Sequence, residues 1–221
     1  GRIIWMRNPG AVERDHQWYF NNGNKGEAGI YGKVSWSVSR TLSVFGDIQY
    51  RYIKYSLEGI DDDLKNIKQI HRFGFLNPKA GLFFTITPNQ EAYLSFSLAN
   101  REPTRTDFKE ASGDNEAIPR SERLFDTEFG YKLRFAKSSL ALNLYGMFYK
   151  DQLVPTGELS NVGYPIMTNV EKSFRTGAEI TAGFIPADFI AWDFSLTLSR
   201  NKILDFTEHY IDYNTSDWSA E

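Results

Sequence analysis

From about Glu27 to Asn201 the chain is a succession of long two-residue alternations, broken by turns that are short, then long, then short again. One run carries Leu42, Val44, Ile48, Tyr50 and Tyr52 at even positions, with Ser43, Asp47, Gln49 and Arg51 between them. A period of two specifies a β-strand with one apolar and one polar face. Length is the constraint. These runs persist for about 10–14 residues, whereas strands of soluble domains stop near 5–6. About 13 residues at ~3.3 Å each reach ~43 Å, and at a ~45° tilt such a strand rises ~30 Å, one hydrocarbon thickness. The pattern predicts an all-β chain, an antiparallel up-and-down meander of about eight long strands, forming part of a transmembrane β-barrel.

Composition agrees. Mean hydropathy is -0.44 and no run of 18 apolar residues occurs, so membrane helices are excluded while a barrel, half of whose strand residues face water, is not. Aromatics reach 15%, with 17 Phe, 12 Tyr and 5 Trp, as ring girdles at two membrane interfaces require. Net charge is -3, with no basic stripe for nucleic acid. No cysteine is present, which removes disulfides and thiolate metal sites. The first residues do not read as a signal peptide, and both ends fall mid-pattern, as expected of residues 1–221 being one portion of a longer barrel domain.

Residues 1–26 read as a loop ending in the turn formers 21–26. Eight strands follow, the first from Glu27, the second reaching about Ser56, the third from about Phe73 to Ile86. Short turns are expected at 39–41, 87–90, 136–139 and 186–188; long loops at 58–72, 102–122 and 154–166, with 205–221 loop-like or opening a further strand. In the third strand the apolar phase moves from odd (Phe73, Phe75) to even (Ala80, Leu82, Phe84), and Pro78 at the change predicts a bulge. Strict alternation of short and long connections puts all long ones on one side of the membrane. A soluble β-sandwich alternates identically and stays open as a rival; strand length and loop asymmetry favour the membrane.

Local motifs carry a resemblance. Asn77-Pro78-Lys79-Ala80-Gly81-Leu82, the stretch Ala99 to Phe108 (ANREPTRTDF), Pro119-Arg120-Ser121-Glu122 continuing to Tyr131, and Asn169 to Glu179 (NVEKSFRTGAE) together resemble the barrel of TonB-dependent receptors, especially those of Bacteroidetes. The resemblance implies a 22-stranded barrel in the outer membrane of a Gram-negative bacterium, filled by a plug domain of the same full-length chain. It implies import of a scarce nutrient (ferric siderophore, haem, cobalamin or similar) powered through the TonB complex. Its partners would be outer-membrane lipid, the plug, TonB and a small nutrient ligand. About eight strands cannot close such a barrel, and neither a plug nor a TonB-contact box is recognisable. A passive porin-like channel is the other membrane alternative.

Candidate ligand contacts fall in the expected extracellular loops: Arg101 and Arg105 for an anionic ligand, His71 and His209 for haem or metal, and Tyr164 and Tyr210 for stacking on a flat ligand, with Tyr213 and Trp218 beside them. Against these stand solvated histidines, interface-anchoring rings, and arginines paired with carboxylates at strand ends. The run Asp61-Asp62-Asp63 offers oxygen ligands to calcium, but a hydrated loop tip has the same sequence, and no metal site or cofactor is assigned. Mid-strand Arg51, Arg134, Arg175 and Glu179 are expected to form cross-strand ladders or to meet the plug. No histidine lies mid-strand and no Gly-x-Ser-x-Gly occurs, so no catalytic residue is assigned and the chain does not read as an enzyme.

Overall fold

The computed structural model describes all residues except 6, 8, 9, 112–117, 161 and 207–221. Eight strands form one sheet in sequence order: β1 (Phe20–Ser37), β2 (Leu42–Ile60), β3 (Gln69–Thr87), β4 (Gln90–Arg101), β5 (Glu122–Phe135), β6 (Ser138–Leu159), β7 (Pro165–Ala187) and β8 (Ile190–Ile203). Every neighbouring pair is antiparallel. A short helix, α1 (Arg105–Glu110), lies between β4 and β5. No second sheet stands among the described residues, so the sandwich alternative is set aside.

One face carries the apolar set throughout: even positions in β1–β4 and β6–β8, odd positions in β5. Its residues meet across strands, as in the row Val44↔Leu82, Leu82↔Leu94 and Leu94↔Phe129. This face is not packed away. Ile30 is 72% exposed and Trp192 66% exposed, and most large apolar residues on the face are likewise open. Exposed apolar area on that scale is unstable in water and stable against lipid.

The opposite face is polar and locally cross-linked. Arg51 Nε pairs with Glu27 at 2.8 Å and Arg134 with Glu91 at 3.3 Å. Asn143 Nδ2 donates to Glu179 at 3.4 Å, and the Arg175 guanidinium lies 5.3 Å from the Tyr149 ring. The expected cross-strand ladders are present. Three rings lie over glycines directly opposite them, Phe45 over Gly81, Tyr93 over Gly130 and Tyr145 over Gly177. A Cβ on any of these glycines would occupy the ring's place, so each glycine accommodates an aromatic plate that stiffens the inner face.

The strands outrun the sequence expectation at the long-loop end. β1 starts at Phe20, taking in the 21–26 segment read as loop, because residues 20–26 pair with 54–60. The 58–72 loop contracts to 61–68 and the 154–166 loop to 160–164. Turn-forming asparagines and glycines are held in strand by the ladder beside them, where pairing outweighs local preference. Pro78 makes no bulge between β2 and β3: the register runs unbroken through Ile48↔Pro78. It stands instead where β3 and β4 part, one residue beyond the last pair Lys79↔Ser97, a place that needs no N–H. Nor does the phase slip. Phe73 and Phe75 belong to the inner face, and the outer face continues through Leu76 and Ile70.

Candidate functional site

Above Pro78 the two strands are tied by side chains rather than by a ladder. Asn100 Nδ2 donates to Leu76 O at 3.1 Å and to Asn77 Oδ1 at 2.9 Å. From the top of β4 the chain turns inward and forms α1 against the inner face. Six residues do not hold a helix by propensity; capping and packing do. Thr104, extended at φ -76° and ψ 170°, closes a capping box with Asp107: the Thr104 amide donates to Asp107 Oδ2 at 2.7 Å and the Asp107 amide to Thr104 Oγ1 at 3.3 Å. A Thr104→Ala variant is expected to lose about 1 kcal/mol of α1 stability, read as faster amide exchange at 105–111; unchanged exchange would mean that packing alone sets the helix.

The packing is an aromatic seat. Phe108 is fully buried with Leu57, Ile67 and Tyr55, and Phe73 packs against the group. His71 stacks on Phe108 with ring centroids 3.8 Å apart. Its Nε2 lies 2.9 Å from Gln69 Oε1, whose own amide donates to Phe108 O at 3.0 Å. His71 therefore sits in β3, not in a loop as expected from sequence; the strand begins earlier because its upper inner face is covered by α1.

Beside Phe108 is an ionic knot. Lys109 Nζ lies 2.8 Å from Asp61, 3.0 Å from Asp62 and 3.1 Å from Glu110, and 4.3 Å from the Tyr164 ring centroid. The Lys109 side chain is 7% exposed, Asp61 5% and Glu110 4%. Burial disfavours the Lys109 charge, but hydrogen bonds to Asp61, Asp62 and Glu110 outweigh it and hold its pKa above the ordinary lysine value. Burial likewise works against the Asp62 carboxylate, and the bond from Lys109 prevails and keeps its pKa below the usual range. The carboxylate oxygens of Asp61, Asp62 and Asp63 converge, yet the cations on them belong to the chain: Lys109 on the first two and Lys65, at 3.0 Å, on the third.

Two cavities flank the seat and share Phe73. One, about 430 Å³, is lined by the apolar Ile53, Tyr55 and Phe73 and by the charged Lys25, Arg101, Glu102 and Arg105, with Glu102 2.6 Å from Lys25. The other, about 420 Å³, is lined by His71, Arg120, Arg123 and Lys150 together with Asp151. Arg101 pairs with Glu122 at 2.5 Å, and the Arg105 guanidinium donates to Asn21 Oδ1. The structure thus gathers four sequence-chosen residues, Arg101, Arg105, His71 and Tyr164, around α1. His209, Tyr210, Tyr213 and Trp218 lie outside the described residues. Sequence reading missed Phe108 and Lys109, which sat within a presumed loop; the available signal was Thr104-x-x-Asp107 directly before Phe108, the spacing of a helix start.

A sequence model of the TonB-dependent receptor-like β-barrel matches residues 5–220. No curated protein gives a significant sequence match. Among solved structures, the chain is similar to the FrpB iron transporter of Neisseria meningitidis, F3-3 variant (TM-score 0.64, 16% identity), covering 84% of this chain and 27% of that one. It is also similar to the copper transporter OprC (TM-score 0.71, 15% identity, 82% and 30%). A third is the ferric yersiniabactin uptake receptor FyuA of Yersinia pestis (TM-score 0.66, 15% identity, 83% and 28%). The chain spans less than a third of the length of each of these three.

Proposed function

We propose a role in nutrient import for this chain, which belongs to the TonB-dependent receptor-like β-barrel family and, like that family, resides in the outer membrane of Gram-negative bacteria. In this reading the eight strands form part of a 22-stranded barrel whose lumen holds a plug, and TonB energises passage of a ligand caught by the loops. The observation that carries it is the two-faced sheet: an exposed apolar surface on one side, and on the other a polar wall onto which α1 folds at the long-loop end. The solved structures that resemble it are titled as iron, copper and siderophore transporters, which favours a metal chelate as cargo. The lining cations Arg101 and Arg105, beside the apolar Ile53, Tyr55 and Phe73, suit an anionic, partly aromatic chelate, with Tyr164 and His71 shaping the mouth. His209 and Tyr210, outside the described residues, remain part of that proposed ligand-binding set.

The test is uptake of labelled ferric chelates by cells carrying the complete receptor, with and without a protonophore. Energised import stops when the gradient is collapsed. Uptake that continues at the same rate indicates the passive channel and overturns this reading. Replacing both Arg101 and Arg105 with Gln is expected to raise the half-saturating chelate concentration several-fold, with the maximal rate preserved; an unchanged value removes them from the ligand site.

A further inference from the structure

The wall is cut back at its long-loop end. β3 and β4 stay paired from Thr87 down to Lys79 and then part. The sequence enforces the parting. Pro78 brings no N–H to the β4 side, the Asn100 amide donates to the Asn77 side chain at 3.0 Å, and Asn100 Nδ2 takes Leu76 O at 3.1 Å. β4 and β5 end together at Arg101↔Glu122. β3 continues beside β2 to Gln69, and β6 beside β7 to Leu159. Above Arg101 the wall therefore has a notch between β3 and β6, three strand spacings or about 14 Å wide. The cavity of about 420 Å³ marks its floor, reaching from His71 and Phe73 of β3 past Asn100 to Lys150 and Asp151 of β6.

β3 shows the notch a bare edge. Leu76 O points toward β4, and backbone groups alternate sides along an antiparallel strand, so Gly74, Arg72 and Ile70 turn theirs the same way. Among the described residues nothing bonds their backbone from that side, and all three are exposed. Natural sheets cover, kink or block such edges. Pro78 blocks only the foot of this one, and the β2–β3 register runs above it without a bulge. Gly74 stands about 13 residues above Thr87, a rise of about 31 Å at ~45°. The edge from Gly74 upward thus clears the ~30 Å hydrocarbon layer, where unpaired backbone groups meet water instead of lipid.

The borders of the notch are basic. Arg72 on β3, Arg123 on β5 and Lys150 on β6 are exposed, and among the described residues no carboxylate lies in ion-pair range of any of the three. Arg123 Nε meets the neutral Asn100 Oδ1 at 3.2 Å. The notch's own carboxylates are already engaged, Asp151 by Arg120 at 2.6 Å and Glu122 by Arg101 at 2.5 Å. A chain segment entering here meets a free backbone edge flanked by unpaired cations, and complementary charge selects an acidic one.

We infer that the notch is a docking site for an extended acidic segment of a second protein at the cell surface, which adds as a strand to the β3 edge at Ile70, Arg72 and Gly74. Backbone pairing supplies the affinity, and the segment's alternate side chains meet the basic borders and supply the selectivity. The inference rests on the outer-membrane placement and is independent of what, if anything, the barrel imports.

The experiment uses the complete receptor in neutral detergent and three synthetic peptides of equal length: one alternating Glu with Val, a copy with Lys in place of Glu, and an acidic copy methylated at its central backbone nitrogens. Amide exchange is read residue by residue. The acidic peptide should slow exchange at Ile70, Arg72 and Gly74 at least tenfold and leave His71 and Phe73, whose amides already face β2, unchanged. The lysine and methylated copies should protect none of them. R72Q/R123Q/K150Q should raise the half-saturating concentration of the acidic peptide tenfold or more, while a triple change on the lumen face, K33Q/K79Q/K132Q, leaves it unaltered. Should the first triple not fold, K150Q alone is expected to raise it several-fold. Equal protection by the lysine copy overturns the acidic selectivity, and protection by the methylated copy overturns strand addition. Exchange at Ile70, Arg72 and Gly74 as slow as at His71 and Phe73 before any peptide is added would show the edge already covered and end the proposal, as would no protection by the acidic peptide.

Discussion

A Lys109→Met variant is expected to lose about 3–5 kcal/mol of the free energy that fastens α1 to the β2–β3 loop, the usual cost of removing one member of a buried ion-pair group. The magnitude comes from what stays behind. Asp61 and Glu110 are almost wholly buried and share the Lys109 ammonium; without it two carboxylates face each other with no cation between them. The readout is amide exchange at 61–68 and 104–111 in the complete receptor, where protection should fall by two orders of magnitude or more while β5–β7 are unchanged. Adding Asp61→Asn, Asp62→Asn and Glu110→Gln to Lys109→Met should restore most of it, because neutralising the whole group removes the penalty that breaking it creates. Protection that survives in Lys109→Met would show that the Phe108 seat alone holds the helix.

The same knot sets a pH window. The Asp62 pKa is lowered in the folded chain from 3.8, so its contribution is complete above that ordinary value and fades as pH falls through the lower, folded one. The Lys109 pKa is raised from 10.5, so its contribution is complete below 10.5 and is lost only as pH rises through the higher, folded one. The two limits leave the clasp intact across the neutral range, and acid weakens it by protonating Asp62.

How far the sequence reaches is clear from particular residues. Leu42, Val44, Ile48, Tyr50 and Tyr52 disclose strand, face and length together, because period two survives wherever one side meets lipid and the other water. The upper third of the sheet obeys a different rule. There Ile53, Tyr55, Leu57, Phe73 and Phe75 are apolar and inward, and Phe108 of α1 packs on Tyr55, Leu57 and Phe73, so both faces are apolar and the alternation blurs; that produced the apparent slip at Pro78. Asn21 to Gly26 read as turn because pairing with β2 is non-local. Lys109 was invisible because its partners, Asp61 and Asp62, lie 47 residues or more away in the chain, and no spacing rule connects a helix to a loop two hairpins earlier. Arg101 and Arg105 were legible as a basic pair at a strand end, but their partners Glu122 and Asn21 were not.

The membrane placement makes its own demand at Leu144. This residue lies midway along β6 between Ser138 and Lys150, on the exposed apolar face, opposite Phe129 on one side and Ala178 on the other. A Leu144→Arg substitution places a guanidinium near the bilayer centre, far from either interface to which it could snorkel, and is expected to cost about 2–4 kcal/mol of folding free energy in lipid. Leu196→Arg in β8, opposite Ile180, should behave alike. Ser95→Arg is the matched control. It adds the same charge and bulk to the polar face, opposite Glu128, where water and a carboxylate receive it, and should cost well under 1 kcal/mol. The measurement is reversible unfolding of the complete barrel in lipid vesicles, followed by the heat-dependent shift in gel migration. If Ser95→Arg proved the damaging change and Leu144→Arg the silent one, the oily face would be the lumen and the chain could not sit in a bilayer as described. A sheet that tolerated both would have neither face against lipid. The expected asymmetry follows from solvent alone, because the backbone ladder on either side of the two positions is the same.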